Sequence, residues 1–547
     1  MIMLGTNFRL HNKRLRAPLF LILIALVALA ACTGGGAVDE VPPQVTEVPT
    51  EEVVTQPEVS EPEQAEEPSS TERSGVLRVA MQPIVNIDPI SISSDSEVLV
   101  ANHVYDYLVD IDPANNPVPR LATSWEISDD GLTYVFQLAE GVTWHDGSPF
   151  TAEDVVWTFD RLRNTEGTPT ADLYENIDSI EATGDLEVTF HLKQTNPFFL
   201  YDLSDNHALV LKAGTTDADT NFNGTGPFKV VNYSPEDRIE MVANENYFVP
   251  GLPKLAGLEI IFFNDQTAAV EALRSGQVDL VMRMSTSLFE SLQGEPGINT
   301  IEIPTNGFDV IRLRSDRAPG NDPRVIQAFK LATDREAIFQ LVQQGHGAVG
   351  RDTPIGPLYQ AFYTDEFNVP ERDPEAARAL LAEAGYPDGL DMVLHTPDTG
   401  GRPDLAAVLK EQWAEAGINV EISVEPESVY YGEDGWLEVD LGITGWGSRP
   451  YPQFYLDVML VSGAKWNESH FSDEEFDRLA AIAGTTLDEQ ERIEAYHEIQ
   501  RILIERGPII VPYFFAQFGA ISNQFDGLEL KAFAGRTDFR TVTFSGS

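Results

Sequence analysis

Apolar and polar residues alternate strictly in several short stretches of the chain. "TYVFQL" puts Tyr134, Phe136 and Leu138 on one face, and "LEVTFHL" does the same with Leu186, Val188, Phe190 and Leu192. "GINVEISV" adds Ile418, Val420, Ile422 and Val424. A period of two predicts half-buried strands. "VDLGI", with Val439, Leu441 and Ile443, reads as a further short strand with one buried face. Elsewhere the period lengthens. Thr151 and Asp154 form an approximate capping box, after which Val155, Phe159 and Leu162 share a helical face. Asp373 caps another helix, Pro374 takes its first turn, and Ala377, Leu380, Leu381 and Ala384 form its stripe up to Gly385. Strands and helices interleave without an internal repeat, which predicts an α/β class with α+β mixed sheets.

A chain of 547 residues is too long for one core and implies at least two lobes. Its 36 Lys and Arg stand against 87 Asp and Glu, a formal net charge of -51. Such a chain offers no phosphate-neutralising surface, so nucleic acid is excluded as a partner. The N-terminus has its own pattern. Arg9, Lys13, Arg14 and Arg16 precede an apolar run from Leu19 to Ala31, too short for a comfortable membrane span and suited to a secretory signal over residues 1–31. The run ends in "LAAC", which resembles a bacterial lipobox with Cys32 as the lipidated residue; an ordinary signal peptide with an incidental cysteine is the other reading. Cys32 is the only cysteine, which excludes intramolecular disulfides and Cys-based zinc clusters. Residues 33–74 carry eleven acidic residues, one Arg and six Pro without apolar periodicity. A disordered acidic, Pro-rich tether over 32–74 is expected, spanning on the order of 30–40 Å. The folded body then begins near Gly75.

Catalytic patterns are weak. His497-Glu498 continues without the second histidine of a zinc protease helix, and Ser448 lacks the following glycine of a nucleophile elbow. The adjacent His145 and Asp146 would point opposite ways in an extended segment, so "WHDG" reads as a turn at Asp146-Gly147. "GTGPF" lacks the lysine and helix start of a phosphate loop. No catalytic residue, cofactor or metal ligand is assigned, and an exported hydrolase stays only as the alternative from a different class.

An ordered set of motifs spans the body. The segment Arg120 to Leu162, "RLATSWEISDDGLTYVFQLAEGVTWHDGSPFTAEDVVWTFDRL", closely resembles the signature region of the family 5 solute-binding proteins of ABC transporters, the dipeptide, oligopeptide and nickel-binding family. "LRVAM", "IDPI", "GTGPFKV", "NENYF", "ALRSGQVDL", "DPRVIQAFKLATDREAI", "DPEAARALLAEAGYPDG" and "RGPIIVPYFFAQ" follow the family's order from Gly75 onward. The resemblance implies a periplasmic-binding-protein-like fold of two lobes. Lobe I is then discontinuous, 75–312 with 514–547, and carries an extra subdomain over 108–221; lobe II is 313–513. Hinge segments are expected near 310–315 and 511–515. It also implies a non-enzymatic, monomeric receptor that captures a peptide or peptide-like solute between its lobes. Such a receptor delivers the solute to an ABC permease and its ATPase subunits, from a lipid anchor outside the cytoplasmic membrane.

The ligand class turns on "GWGSRPYPQF". In the family this loop commonly reads Trp, two small residues, then Asp, and that Asp pairs with a peptide's free ammonium. Here Trp446, Gly447 and Ser448 match, and Arg449 stands in the acid's place. A guanidinium repels an ammonium and grips a carboxylate or phosphate through its fork. An anionic or sugar-containing solute, or a metal chelate, is therefore the alternative to a free-N-terminus peptide, with Trp446 and Tyr451 as stacking surfaces. Arg449 pairing with an internal carboxylate is the other reading. Trp466 either lines the cleft or fills the core of lobe II. Asn306, Phe308 and Asp88 sit where the family approaches the cleft.

Overall fold

The structure, a computed structural model, describes residues 73–112, 115–432 and 435–546. The expected signal segment, the lipidation site Cys32 and the tether up to residue 72 lie outside the described residues. Arg73 already bonds to the body, with Nε donating to the Pro253 carbonyl at 3.1 Å.

One mixed sheet organises the body. Its order is Ile418–Glu425, Leu390–Pro397, Leu441–Trp446, Ile298–Leu313, Tyr513–Ser522, Leu280–Met282, Val76–Met81, Gly257–Phe262, Arg238–Ala243 and Phe228–Ser234. A separate four-stranded antiparallel sheet joins Ala122–Ile127, Thr133–Leu138, Glu187–Leu192 and Ile177–Gly184 in that order. Its alternation follows the sequence reading, with Tyr134, Phe136, Leu138, Val188, Phe190 and Leu192 buried. Helix Ala152–Asn164 packs on this sheet through Phe159, whose ring lies 5.3 Å from that of Phe190. The Asp154 carboxylate accepts from the Thr151 N–H at 2.9 Å, as a capping box requires. Asp373 likewise accepts from the Ala376 N–H at 2.9 Å to start helix Pro374–Glu383.

Two strands depart from the one-faced expectation. Leu441–Trp446 lies between two neighbours, so Leu441, Gly442, Ile443 and Thr444 are all buried and the strand has no solvent face; Val439 falls outside it. Ile418–Glu425 is the edge strand, and its apolar face runs out of cover at Val424, which is 50% exposed.

The centre of the sheet is the antiparallel pair Ile298–Leu313 and Tyr513–Ser522. Their register runs from Ile298 opposite Ser522 to Pro304 opposite Ala516, then resumes at Phe308 opposite Phe514. Thr305, Asn306 and Gly307 therefore face a single residue, Phe515, in a bulge. Thr305 Oγ1 stitches it, donating to the Phe515 carbonyl at 2.8 Å and accepting from the Gly307 N–H at 3.1 Å. The bulge separates two sets of cores. On one side they draw on residues from Leu77 to Ile303 and from Ala516 to Phe544. On the other they draw on Phe308 to Phe515, joined by Phe198 and Tyr201.

The segment after residue 524 closes the first interior. His103 Nδ1 lies 2.7 Å from the Leu99 carbonyl, while Nε2 accepts from the Phe539 N–H at 3.1 Å. Burial pushes the His103 imidazole down to about 4, so the neutral ring with its proton on Nδ1 makes both bonds. Gly224 and Gly226 bring "GTGPF" against the same helix, Asp95–Val104, and the Gly226 N–H donates to the Val104 carbonyl at 2.9 Å. A Cβ on Gly224 would lie 1.8 Å from that carbonyl oxygen. Gly224→Ala is therefore expected to lose about 1–3 kcal/mol of stability by overpacking, read as a lower urea midpoint. Gly184→Ala, whose Cβ would meet only the Glu187 side chain at 3.4 Å and its backbone nitrogen at 3.9 Å, should change it by less than about 0.5 kcal/mol.

Candidate functional site

A cavity of about 510 Å3 opens where the bulge breaks the sheet. Ile301, Ile303, Pro304 and Asn306 form its floor, and the loop Ser448, Arg449 and Pro450 forms one wall with Leu358 and Gln360. The facing wall comes from Ile111, Asp112 and Asn115, from Ser204 to Asn206, and from Leu528 to Phe533 with Arg536. The size is that of a small-molecule site. A larger groove of about 910 Å3 along Leu390–Pro397 and Ile418–Glu425 is lined in part by Arg317 and Asp440, which pair with each other at 2.5 Å.

The loop after Leu441–Trp446 is held by its carbonyls. Tyr455 donates to the Gly447 oxygen at 2.6 Å, Tyr359 to the Arg449 oxygen at 2.9 Å, and Asn115 Nδ2 to the Pro450 oxygen at 2.5 Å. Ser448 Oγ accepts from the Asn306 N–H at 3.1 Å, tying loop to bulge. Hydrogen bonds thus tie down the loop backbone, and the Arg449 guanidinium takes no part in them. That guanidinium lies 4.3 Å over the Phe454 ring and, among the described residues, forms no ion pair and leaves Nε buried without a hydrogen-bond partner. No described carboxylate pairs with it. Among the described residues, Asn306 Oδ1 and Gln517 Nε2 are also buried without partners, and Gln517 stands opposite the lining residue Ile303. Such groups are costly to leave unpaired, so three in one neighbourhood mark a polar surface built for something else.

The other residues singled out in the sequence are placed as follows. Gly447 is exposed beside the cavity. Trp446 is buried beneath the loop, where Nε1 donates to Glu468 Oε1 at 3.2 Å and the ring packs against Trp466 at 6.1 Å. Trp466 is half-buried in that aromatic cluster, away from the cavity lining. Phe308 is fully buried against Tyr455 and Phe514. Asp88 pairs with Arg161 at 2.5 Å and takes no part in the lining. Tyr451 crosses to the facing wall, where its ring stacks on Phe198 at 4.6 Å with planes 8° apart and its hydroxyl donates to Asp202 Oδ1 at 2.5 Å.

The facing wall carries the residues that sequence reasoning missed. Asp205 Oδ1 accepts from the His207 backbone N–H at 3.0 Å and lies 2.5 Å from His207 Nδ1. Burial opposes ionisation of Asp205, yet the charge and hydrogen bonds of His207, with a contribution from Arg449, hold it well below the usual carboxylate range. Lys531 Nζ donates to the Ile111 carbonyl at 2.6 Å, and Arg536 pairs with Asp110 at 2.9 Å while stacking 3.8 Å over Tyr107. Among the described residues, no group of three or more His, Cys, Asp or Glu is placed to hold a metal ion, and no helix is long and apolar enough to cross a membrane.

With the geometry in hand, comparison with known proteins identifies the class. Residues 116–467 match the bacterial extracellular solute-binding proteins, family 5, in the middle region of that family. The chain belongs to this family. It is 29% identical over 505 residues to heme-binding protein A of Haemophilus influenzae, covering 86% of this chain and 91% of that one. It is 27% identical over 433 residues to the dipeptide-binding protein of Escherichia coli, covering 72% and 80%. The fold matches the ABC transporter substrate-binding protein CtaP of Listeria monocytogenes with a TM-score of 0.77, at 22% identity, over 87% of this chain and all of that one. The mixed α/β fold expected from the sequence is the one observed.

Asp202 sets a pH signature. Burial pushes its carboxyl up to about 7; hydrogen bonds from Tyr451 and Asn196 oppose this, while the charges of Asp205 and Asp457 add to it. The folded state therefore holds this proton more tightly than the unfolded state, and the associated stability is lost as pH rises through about 7. The difference in melting temperature between Asp202→Asn and the parent protein should become more favourable to the variant from pH 5 to pH 8. A difference that stays constant across that range in calorimetry would contradict the assignment.

Proposed function

We propose that this protein is the solute receptor of an ABC importer and that it holds its solute in the cavity at the bulge, with Arg449 as the anchor for an anionic group. The observation that carries this reading is a guanidinium fixed at a cavity wall by its own backbone, with none of its donors taken by a described residue. Ion pairs and charged hydrogen bonds in a partly desolvated site are the strong kind, and a bidentate carboxylate matches the fork. Family 5 membership supports the receptor role over that of an exported hydrolase. The relatives differ in what their names say they bind, heme in one and dipeptides in another, so the solute class rests on this chain's own residues.

Capture follows from a two-lobed arrangement. The division of the cores at the bulge supports lobes near 75–312 with 514–547 and 313–513, and the separate four-stranded sheet supports 108–221 as a further subdomain. Thr305 to Gly307 and the facing Phe515 give the strands a place to flex, and the loop carrying Arg449 moves with the second lobe. A solute touching both walls favours the closed form by its differential affinity for it, and the permease then reads that form. Trp446, Gly447 and Ser448 position the loop, Asn306 offers the solute an acceptor, and Tyr451 latches the loop to Phe198 and Asp202. Phe308 and Trp466 support from the core. Asp88 braces Arg161. Lipidation at Cys32 and the acidic tether would keep a monomeric receptor at the outer face of the cytoplasmic membrane.

Denaturing the purified protein and weighing what is released by mass spectrometry identifies the solute. Arg449→Ala should then weaken its binding by about 1.5–3 kcal/mol, as loss of a charged hydrogen bond does. Unchanged affinity in calorimetric titration, with a lower melting temperature, would make Arg449 a structural residue instead.

A further inference from the structure

Beside the cavity the two sides of the structure meet a second time. Phe198 follows the strand Glu187–Leu192 of the separate four-stranded sheet, yet its ring is buried in the second set of cores, stacked on Tyr451 and 6.2 Å from the Phe362 ring. Thr195 Oγ1 crosses the same seam to the Thr485 carbonyl at 2.8 Å, and Asn115 crosses it to Pro450. Two buried carboxyls flank the seam, one from each side. Asp202 ends the short helix Phe199–Asp202 and accepts from Tyr451 and from Asn196 Nδ2, the latter at 2.7 Å. Asp457 follows Tyr451 in the chain and accepts from Gln453 Nε2 at 2.8 Å. Among the described residues neither acid is paired with a cation, and the charge of Asp457 acts on Asp202 across the seam.

We propose that this seam is a proton-operated latch: Asp202 and Asp457 let the lobes hold together while both are protonated, and drive them apart once both are ionised. This rests on the receptor reading, whose lobes the seam joins, and adds a control that acts without solute. Burial pushes Asp202 up to about 7 and Asp457 up to about 6. Opening returns both to water and to the ordinary carboxyl range of about 4. The closed form therefore keeps protons that the open form gives up. Its advantage is complete on the acid side and is lost as pH rises through about 6 to 7. Between pH 5 and pH 8 the closing equilibrium should move on the order of tenfold or more toward the open form. The neighbouring groups do not undo this. Asp205 adds a third negative charge, itself matched by His207 with help from Arg449. Arg492 lies 5.8 Å over the Phe198 ring and donates to the Thr486 carbonyl at 2.9 Å. Tyr134, Tyr174, Tyr451 and Tyr496 also face the acids, and burial pushes each hydroxyl upward, so all four stay neutral. A solute that binds the closed form inherits the same dependence on pH.

Small-angle scattering of the full chain, stripped of co-purifying solute and measured at pH 5 and pH 8, reads the latch directly. The parent protein should be compact at pH 5 and expand at pH 8. The double variant Asp202→Asn with Asp457→Asn, whose two sites are neutral at every pH, should stay compact at pH 8. Phe198→Ala, which empties the seam, should be expanded already at pH 5. Residues 1–72 are common to every variant, so the differences report on the folded body. Equal dimensions of the parent at both pH values would overturn the latch, whether or not the variants fold. Expansion of the double variant by as much as the parent would overturn the assignment to these acids. A parent that never changes size but releases a solute on denaturation loses the latch and keeps the receptor reading. One that never changes size and releases no solute loses both.

Discussion

Two long strands run side by side through the centre of the sheet, and between Pro304 and Phe308 their register slips by two residues. That slip is the constraint from which the site follows. On one side Ile301 and Ile303 still belong to the first interior; on the other Phe308 is wholly inside the second. A continuous ladder would have sealed the gap with paired backbone. The bulge instead turns Asn306 toward the loop at Ser448, and its stitching by Thr305 keeps the opening in place. The cavity is thus a product of backbone hydrogen bonding before any side chain lines it.

Around that opening, fixed backbone and unpaired side chains are divided between different residues. Tyr455, Tyr359, Asn115 and Ser448 hold the loop and floor by their carbonyls and amides, so the polar ends of Arg449 and Asn306 need not hold anything. Elsewhere the charges are thoroughly matched. Arg312 meets Glu468, Arg335 meets Asp352, Arg402 meets Asp309 and Arg120 meets Asp106, all at 3.1 Å or less and all with buried carboxylates. Arg351 and Arg492 also leave a buried Nε without a partner, but each gives another donor to a backbone carbonyl; Arg449 gives none to a described residue, which makes its guanidinium informative.

Periodicity made much of the fold legible. Tyr134, Phe136 and Leu138 alternate because one face of their sheet meets helix Ala152–Asn164, and the capping residues Asp154 and Asp373 act locally. Leu441–Trp446 was misread because a central strand with neighbours on both sides has no polar face to betray its period. At the site, Arg449 was visible in the loop motif, but whether it had an internal partner was not, since that depends on which acids the fold brings near. Asp205, Lys531 and Arg536 carried no local signal at all. Arg536 reaches the Ser204 carbonyl from 332 positions away, a juxtaposition only the docked segment after residue 524 creates. Tyr451 was legible as an aromatic residue; that Phe198 would take its face was not.

The same docking has a consequence for how the molecule is made. Val76–Met81 pairs with Leu280–Met282, which in turn pairs with Tyr513–Ser522, and Phe539 and Val542 complete the core beneath them. One wall of the cavity, Leu528 to Phe533 with Arg536, comes later in the chain than all of these strands. The first interior therefore closes only when segments as far apart as His103 and Phe539, 436 positions from each other, have met. Pairings of this span form slowly because loop closure must precede contact. Local segments alone leave this interior open, and its most distant contacts are the ones that complete it.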